Sequence, residues 1–344
     1  MEYEKYVANR ILAGLFLFIL IFMVSVFSIS HGGYNLSIDE VLRALSGRGD
    51  YKADMIIWNI RFPRVLAGIL VGASLAISGA VMQGFLRNPL ASPFTMGVSH
   101  GAMFGASIAI LLGAGYSESS GKIIVNNPYA VVLFAFLGAM SATAIILLLA
   151  KLKGLSPEAI ILSGIAMSSL FVALTTLIQY FAAELQLAAM IYWSFGDLGR
   201  TTWRENIILG IIFMGIFIYF VLKRWDLNAS ALGDEIAKSV GVEVEKTRVI
   251  STFLATFLTA VSVSFVGVIG FVGLIAPHAI RLLFSGDYRF LIPLSALMGA
   301  LLLLTADTIA RLLFSPMTLP VGVVTSFLGA PMFIYLLVRM EGGK

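Results

Sequence analysis

The chain has 344 residues, 59% hydrophobic and only 12% charged, with a mean hydropathy of +0.96. A soluble domain carries about 45–50% apolar and about 25% charged residues, so that class is excluded, and at about 20 residues per span the length allows around ten transmembrane helices. A net charge of +4 spread over many loops fits membrane topology rather than nucleic-acid binding, and the lack of cysteine excludes disulfides, thiolate nucleophiles and cysteine metal sites.

Lys5 and Arg10 precede an apolar stretch from Ile11 to Ile29. It is longer than a signal-peptide core and no small-residue cleavage site follows, so it is expected to remain as the first span. In the polar segment that follows, Ile38, Val41, Leu42 and Leu45 recur at helical spacing between Ser37 and Gly47, which predicts a short interfacial helix covering the rim of the bundle. Further spans are expected near 64–86, 94–113, 129–150, 158–181, 206–222, 249–270, 276–285, 290–311 and 320–339. Residues 249–284 are too many for one upright helix, and Pro277 interrupts the second half, hence two crossings. Lys151, Lys153, the run from Lys223 to Arg248, and Arg339 with Lys344 then share one side, which the positive-inside rule makes the cytoplasm; both termini are expected there. Arg43, Arg48, Lys52, Arg61 and Arg64 fall on the other side, accompanied by Asp39, Glu40, Asp50 and Asp54. The expected fold class is all-α, a single polytopic membrane domain over residues 1–344.

Gly97, Gly101 and Gly105 repeat at every fourth position, a signature of close helix packing. Residues Gly115 to Lys122 have five positions between their glycines, one too many for a phosphate-binding loop, and Ile123 replaces the magnesium-binding hydroxyl. No other segment supplies such a loop, so any ATP hydrolysis belongs to another chain. His100 and His278 lie within spans and read as hydrogen-bonded structure, and the fourteen methionines follow no repeated spacing. No metal site or other cofactor is expected.

Three places carry the functional reading. In the polar run 223–248, Leu232, Ile236 and Val240 recur at every fourth position, Asp234 and Lys238 stand one turn apart, and Gly241 offers a stop; together they predict one short amphipathic helix. The turn 87–93 joins spans two and three, with Pro89 and Pro93 expected to hold it extended. The turn 154–158 precedes span five, and its Pro157 and Glu158 suit the first turn of a helix. Arg61 and Arg64 open span two and Arg311 closes span nine, where Asp307 lies one turn earlier as a local partner.

The segments RFPR (61–64), NPLASP (88–93), GDEIAKSVG (233–241), GLIAPH (273–278), ADTIAR (306–311) and LPVGVVTSFLGAP (319–331) together resemble the FecCD family, the permease subunits of ABC importers for ferric siderophores, haem and cobalamin. The likeness runs from about Arg61 to the C-terminus. It implies the type II importer permease fold, with spans two to five and seven to ten related in inverted orientation, in a multi-pass plasma-membrane protein that is not itself an enzyme. It also implies partners: two ABC ATP-binding subunits, an extracytoplasmic substrate-binding protein and a second permease copy, with no nucleic acid.

Residue by residue, the resemblance implies that Leu232, Gly233, Asp234, Glu235, Ala237 and Gly241 couple to the ATP-binding subunit. Asn88 and Leu90, with Pro157 and Glu158, fall at its cytoplasmic gates, though some relatives carry small hydroxyl residues at the second gate. Arg61, Arg64 and Arg311 align with arginines that receive acidic residues of the binding protein, through exposed ion pairs worth about 0.2–1 kcal/mol each. The alternative is an ion-coupled secondary transporter, which needs ionisable groups at mid-membrane, whereas Glu158, Glu184, Asp197 and Asp307 fall near span ends or in loops.

Overall fold

The computed structural model describes residues 2–32, 36–114, 117–119, 122–124, 127–284, 286–313 and 317–341. In chain order its helices are α1 (Glu2–Ser30), α2 (Ile38–Leu45), α3 (Tyr51–Asp54), α4 (Phe62–Phe85), α5 (Val98–Leu111), α6 (Pro128–Lys151), α7 (Pro157–Phe181) and α8 (Glu184–Ser194). There follow α9 (Trp203–Leu222), α10 (Arg224–Leu232), α11 (Asp234–Ser239), α12 (Val244–Val266), α13 (Val272–Phe284), α14 (Tyr288–Leu312) and α15 (Val321–Glu341). A π-helical stretch, Met55–Arg61, joins α3 to α4 without a break. Among the described residues seven helices are long and apolar enough to span a membrane, and α5, α13 and part of α15 are shorter apolar helices; these ten correspond to the expected spans. Phe16 and Phe22 on α1, Leu162 on α7 and Ile211 on α9 stand exposed, as lipid-facing side chains should. This is an integral membrane protein.

The chain divides into two compact units, one of residues 1–77, 197–217 and 270–344, the other of 78–196 and 218–269. In the first, α14 is the central element: α1, α13 and α15 all pack on it, and its face from Tyr288 through Leu304 to Asp307 is buried. A Cβ on Gly72 of α4 would lie 2.3 Å from the carbonyl oxygen of Gly299, so these backbones touch. Capping shapes α2 as expected, since Ser37 Oγ accepts from the Glu40 amide while the Glu40 carboxylate accepts from the Ser37 amide at 2.7 Å. Those two Ser37 donors, amide and hydroxyl, hold the Glu40 carboxyl below its ordinary range.

The π-helical stretch leaves one carbonyl to be satisfied from outside the helix. Phe62 donates to the carbonyl of Ile57, five residues back, and in that register the carbonyl of Trp58 would await the amide of residue 63, which is a proline. The indole of Trp203 donates to that carbonyl instead, at 2.7 Å, and the rings of Trp58, Phe62 and Trp203 stack together.

In the second unit α5 is surrounded. Its Val98, Ala102, Ala106, Ala109 and Ile110 pack with Val131, Ala135 and Ala139 of α6, Met190 of α8 and Ala260 and Val263 of α12. Gly101 and Gly105 make this possible: a Cβ would meet the carbonyl oxygen of Gly138 at 2.5 Å and that of Phe134 at 2.0 Å. Gly97 does not share that role. It precedes α5 in the left-handed region (φ +85°) against Ser168, so span three starts at Val98 rather than near 94.

Two further features depart from the sequence reading. Helix α8 lies between the spans expected near 158–181 and 206–222, where the sequence predicts no element; Gln186 accepts from the Ala183 amide and opens it. Of the segment 115–122, residues 115, 116, 120 and 121 lie outside the described residues, and the remainder contributes to two three-residue antiparallel strands, β1 (Ser117–Ser119) and β2 (Lys122–Ile124). Lys344, used in the charge argument, also lies outside them.

Gly101→Val is expected to force α5 off α6 and lower the thermal midpoint of the purified protein, since overpacking costs about 1–3 kcal/mol. Gly215→Ala on α9, where a Cβ meets nothing within 4 Å, should hold or raise it. Thermal melts in detergent followed by circular dichroism decide the comparison.

Candidate functional site

The first unit carries a charged cluster built on the end of α1. The last carbonyls of a helix have no amide to receive. Here Arg61 Nη1 donates to the carbonyls of Ile29 (2.6 Å) and Ser30 (3.0 Å), and Arg311 donates to those of Ser28 and His31 and to the Ser28 hydroxyl. Asp307 holds the arrangement from below. Its carboxylate, without exposed area, accepts from Arg311 Nε at 3.1 Å and in fork fashion from Arg64 Nε and Nη2 at 2.9–3.1 Å. Arg64 Nη2 also meets Asp197 at 3.1 Å, and Asp197 in turn accepts from the Gly199 amide.

The three arginines are therefore not the exposed groups expected from sequence. Arg61 and Arg311 are 5% and 8% exposed, and the Arg64 side chain 15%. The reason is physical: a long donor next to a helix C-terminus finds carbonyls, and the dipole there favours a cation. The local pair between Asp307 and Arg311 is observed, and Arg64 joins it.

The second unit carries the other cluster, formed by the two candidate gate turns and the polar run after α9. The turn after α4 is compact rather than extended. Asn88 Oδ1 accepts from the Leu90 amide at 2.9 Å, and Thr95 Oγ1 donates toward the carbonyls of Leu90 and Ser92, so short polar side chains override the two prolines. Asn88 and Leu90 are half-buried within it. In the turn before α7, Ser156 caps the helix by accepting from Ala159 N at 3.2 Å; Pro157 is buried in its first turn and Glu158 is exposed.

The single amphipathic helix expected over 232–241 is in fact two. Gly233, at φ 128° and ψ 155°, breaks the run, leaving Leu232 at the end of α10, Ile236 within α11 and Val240 just past it. The three apolar side chains are exposed at 70%, 49% and 65%, whereas Ala237 is buried. Gly241 does stop α11. At φ +89° it donates to the Lys238 carbonyl while Val242 reaches back to Ala237, the double bond of a glycine-terminated helix.

Asp234 is not paired with Lys238 as the spacing predicted. Arg248, buried at the foot of α12, donates to Asp234 Oδ1 at 2.6 Å, and Arg87 stands 3.7 Å from the same oxygen. The other arm of Arg248 donates to the Leu155 carbonyl at 2.9 Å. Asp234 and the turn at Leu155 thus meet on one guanidinium, and Arg87 approaches the same carboxylate from the turn after α4. In the sequence Arg248 reads as one of several topology charges; its place as the last charge before an apolar run is the available signal.

Removing Asp307 as Asp307→Ala leaves the buried Arg311 guanidinium without its anion and Arg64 with Asp197 alone, and is expected to cost about 3–5 kcal/mol. Asp197→Asn, at a more exposed carboxylate, should cost about 0–1 kcal/mol. Unfolding of the detergent-purified variants measures both.

Comparison with known proteins identifies the family. A Methanocaldococcus jannaschii protein described as an ABC transporter permease is 57% identical over 98% of this chain and 97% of that protein. The vitamin B12 import system permease protein BtuC of Klebsiella pneumoniae is 40% identical over 85% of each. A solved inward-facing conformation described as a metal-chelate type ABC transporter matches with a TM-score of 0.82 and 31% identity, covering 95% of this chain and 98% of that one. The model of the FecCD transport family matches residues 17–339. Matched over nearly its whole length, the chain belongs to the FecCD transport family.

Proposed function

We propose that this chain is the membrane-spanning permease of an ATP-driven importer for a bulky metal chelate, of the ferric siderophore, haem or cobalamin class, and that it hydrolyses no ATP itself. The observation that carries this reading is the run 232–241. It is a polar connection outside the apolar helices, yet it presents Leu232, Ile236 and Val240 to solvent around a stopped helix. Such a surface suits docking to another protein, with Leu232, Gly233, Asp234, Glu235, Ala237 and Gly241 contacting an ATP-binding subunit. In a plasma membrane with both termini cytoplasmic, this run and the turns at Asn88, Leu90, Pro157 and Glu158 face the cytoplasm, where the two turns would gate the pathway.

The cluster of Arg61, Arg64 and Arg311 would then lie at the opposite surface. There it offers net positive charge to the acidic residues of a substrate-binding protein, chiefly through the partly accessible Arg64; complementary charge of this kind speeds and orients encounter. A second copy of this chain would complete the pathway.

An ion-coupled transporter is disfavoured by the state of the acids. Among the described residues the buried carboxylates are Glu205 and Asp307. Glu205 accepts from the Thr202 amide and hydroxyl, and Asp307 is held by two arginines, so neither is poised to carry a proton alone.

Reconstitution of the complex with its ATP-binding subunits and binding protein tests the reading, using radiolabelled cyanocobalamin, haem and a ferric hydroxamate chelate. ATP-dependent accumulation of one of the three is expected. Uptake by this polypeptide alone, driven by an ion gradient, would overturn it. Gly241→Trp, which strains the left-handed stop of α11, should reduce uptake while ATP hydrolysis continues.

A further inference from the structure

Arg248 ends the polar run 223–248 and is given no role of its own in gating or coupling, yet α11 and the turn before α7 are both bound to it. Its side chain is 3% exposed. One arm of its fork donates to Asp234, the first residue of α11, and the other to the carbonyl of Leu155, two residues before Pro157. Leu155 sits in the left-handed region at φ +55°, just after the end of α6, and the first amides of α7 are directed elsewhere, to Ser156. Arg87, beside Asn88, approaches the same Asp234 oxygen at 3.7 Å. Arg248 itself lies in the second turn of α12, with Thr252 Oγ1 donating to its carbonyl.

We propose that Arg248 is a positioning residue for transport: with Asp234 it ties α11 to the turn before α7, so that displacement of α11 by a bound ATP-binding subunit moves that turn with it. The proposal rests on the importer reading given above. Its chemical basis is the guanidinium fork. A rigid planar group can hold a carboxylate and a carbonyl at fixed separation, which a lysine ammonium at the end of a flexible stem does not. Arg87 adds a second, more exposed cation to the same carboxylate, extending the link to the turn that contains Asn88 and Leu90.

A merely structural role would change stability without changing how ATP use relates to uptake. The chain has no cysteine, so Lys153→Cys and Ser239→Cys can carry spin labels on the turn after α6 and on the end of α11 without other reactive sites. In the complete complex the distance between these labels should stay narrow and constant through nucleotide binding. Arg248→Lys and Asp234→Asn, separately, should broaden it and raise the ATP hydrolysed per chelate accumulated by about tenfold, the size expected when one charge-assisted hydrogen bond is lost. The double variant should be no worse than the worse single, because both remove one link.

The inference is overturned if both variants keep the narrow distance and the wild-type ATP-to-uptake ratio, if their effects multiply, or if Arg248→Lys releases the ATP-binding subunits, which would make it a docking residue instead. Failure of the wild-type complex to accumulate any of the three chelates with ATP marks failure of the importer reading, and is seen in the control before any variant is compared.

Discussion

In a bilayer no water reaches the hydrocarbon core, so each backbone carbonyl and amide must find its partner within the protein. Regular helix meets that demand; helix ends and irregular turns do not. This chain meets it at such places with a few long donors. Arg61 and Arg311 take the last carbonyls of α1, Trp203 the carbonyl left by Pro63, Arg248 that of Leu155, and Arg10 that of Phe284 at the end of α13. A buried cation then requires an anion, which accounts for the positions of Asp307 and Asp234. Among the described residues the buried charged side chains are Arg61, Glu205, Arg248, Asp307 and Arg311, and each has a partner within the chain.

The same device is used with different consequences in the two units. Around α1 it produces a closed network in which Asp307 has no exposed area, a construction suited to fixing helix ends. Around α11 the network is half open, since the Asp234 and Arg87 side chains remain 32% and 41% exposed. An arrangement that is buried on one side and accessible on the other can respond to a partner, because contact from outside alters groups that hold internal turns.

Much of the fold was legible because the strongest signals are long-range averages. Apolar runs bounded by lysine and arginine located ten helices, and the contact of Gly101 and Gly105 with α6 follows from their spacing. What escaped detection depends on single atoms. Nothing in the alternation of Leu232, Ile236 and Val240 reveals that Gly233 adopts φ 128° between them, and a proline pair gives no warning that Asn88 and Thr95 will fold the turn. Charge pairing failed for a related reason. Spacing along a helix identifies neighbours such as Asp307 and Arg311, but Arg64 and Arg248 reach their partners across the tertiary structure, which no local pattern encodes. The family motifs name segments and do not disclose these contacts.

The junction of α3 with α4 carries an optical signature of its own. Trp58 and Trp203 are two of only four tryptophans, with ring centroids 6.4 Å apart and planes 26° from parallel. Indoles held that closely in a fixed, chiral relation couple their transitions, so this corner adds a signal of its own to the near-ultraviolet dichroism of the unlabelled protein. Bending or unwinding there would register as a change in ellipticity with no dye attached.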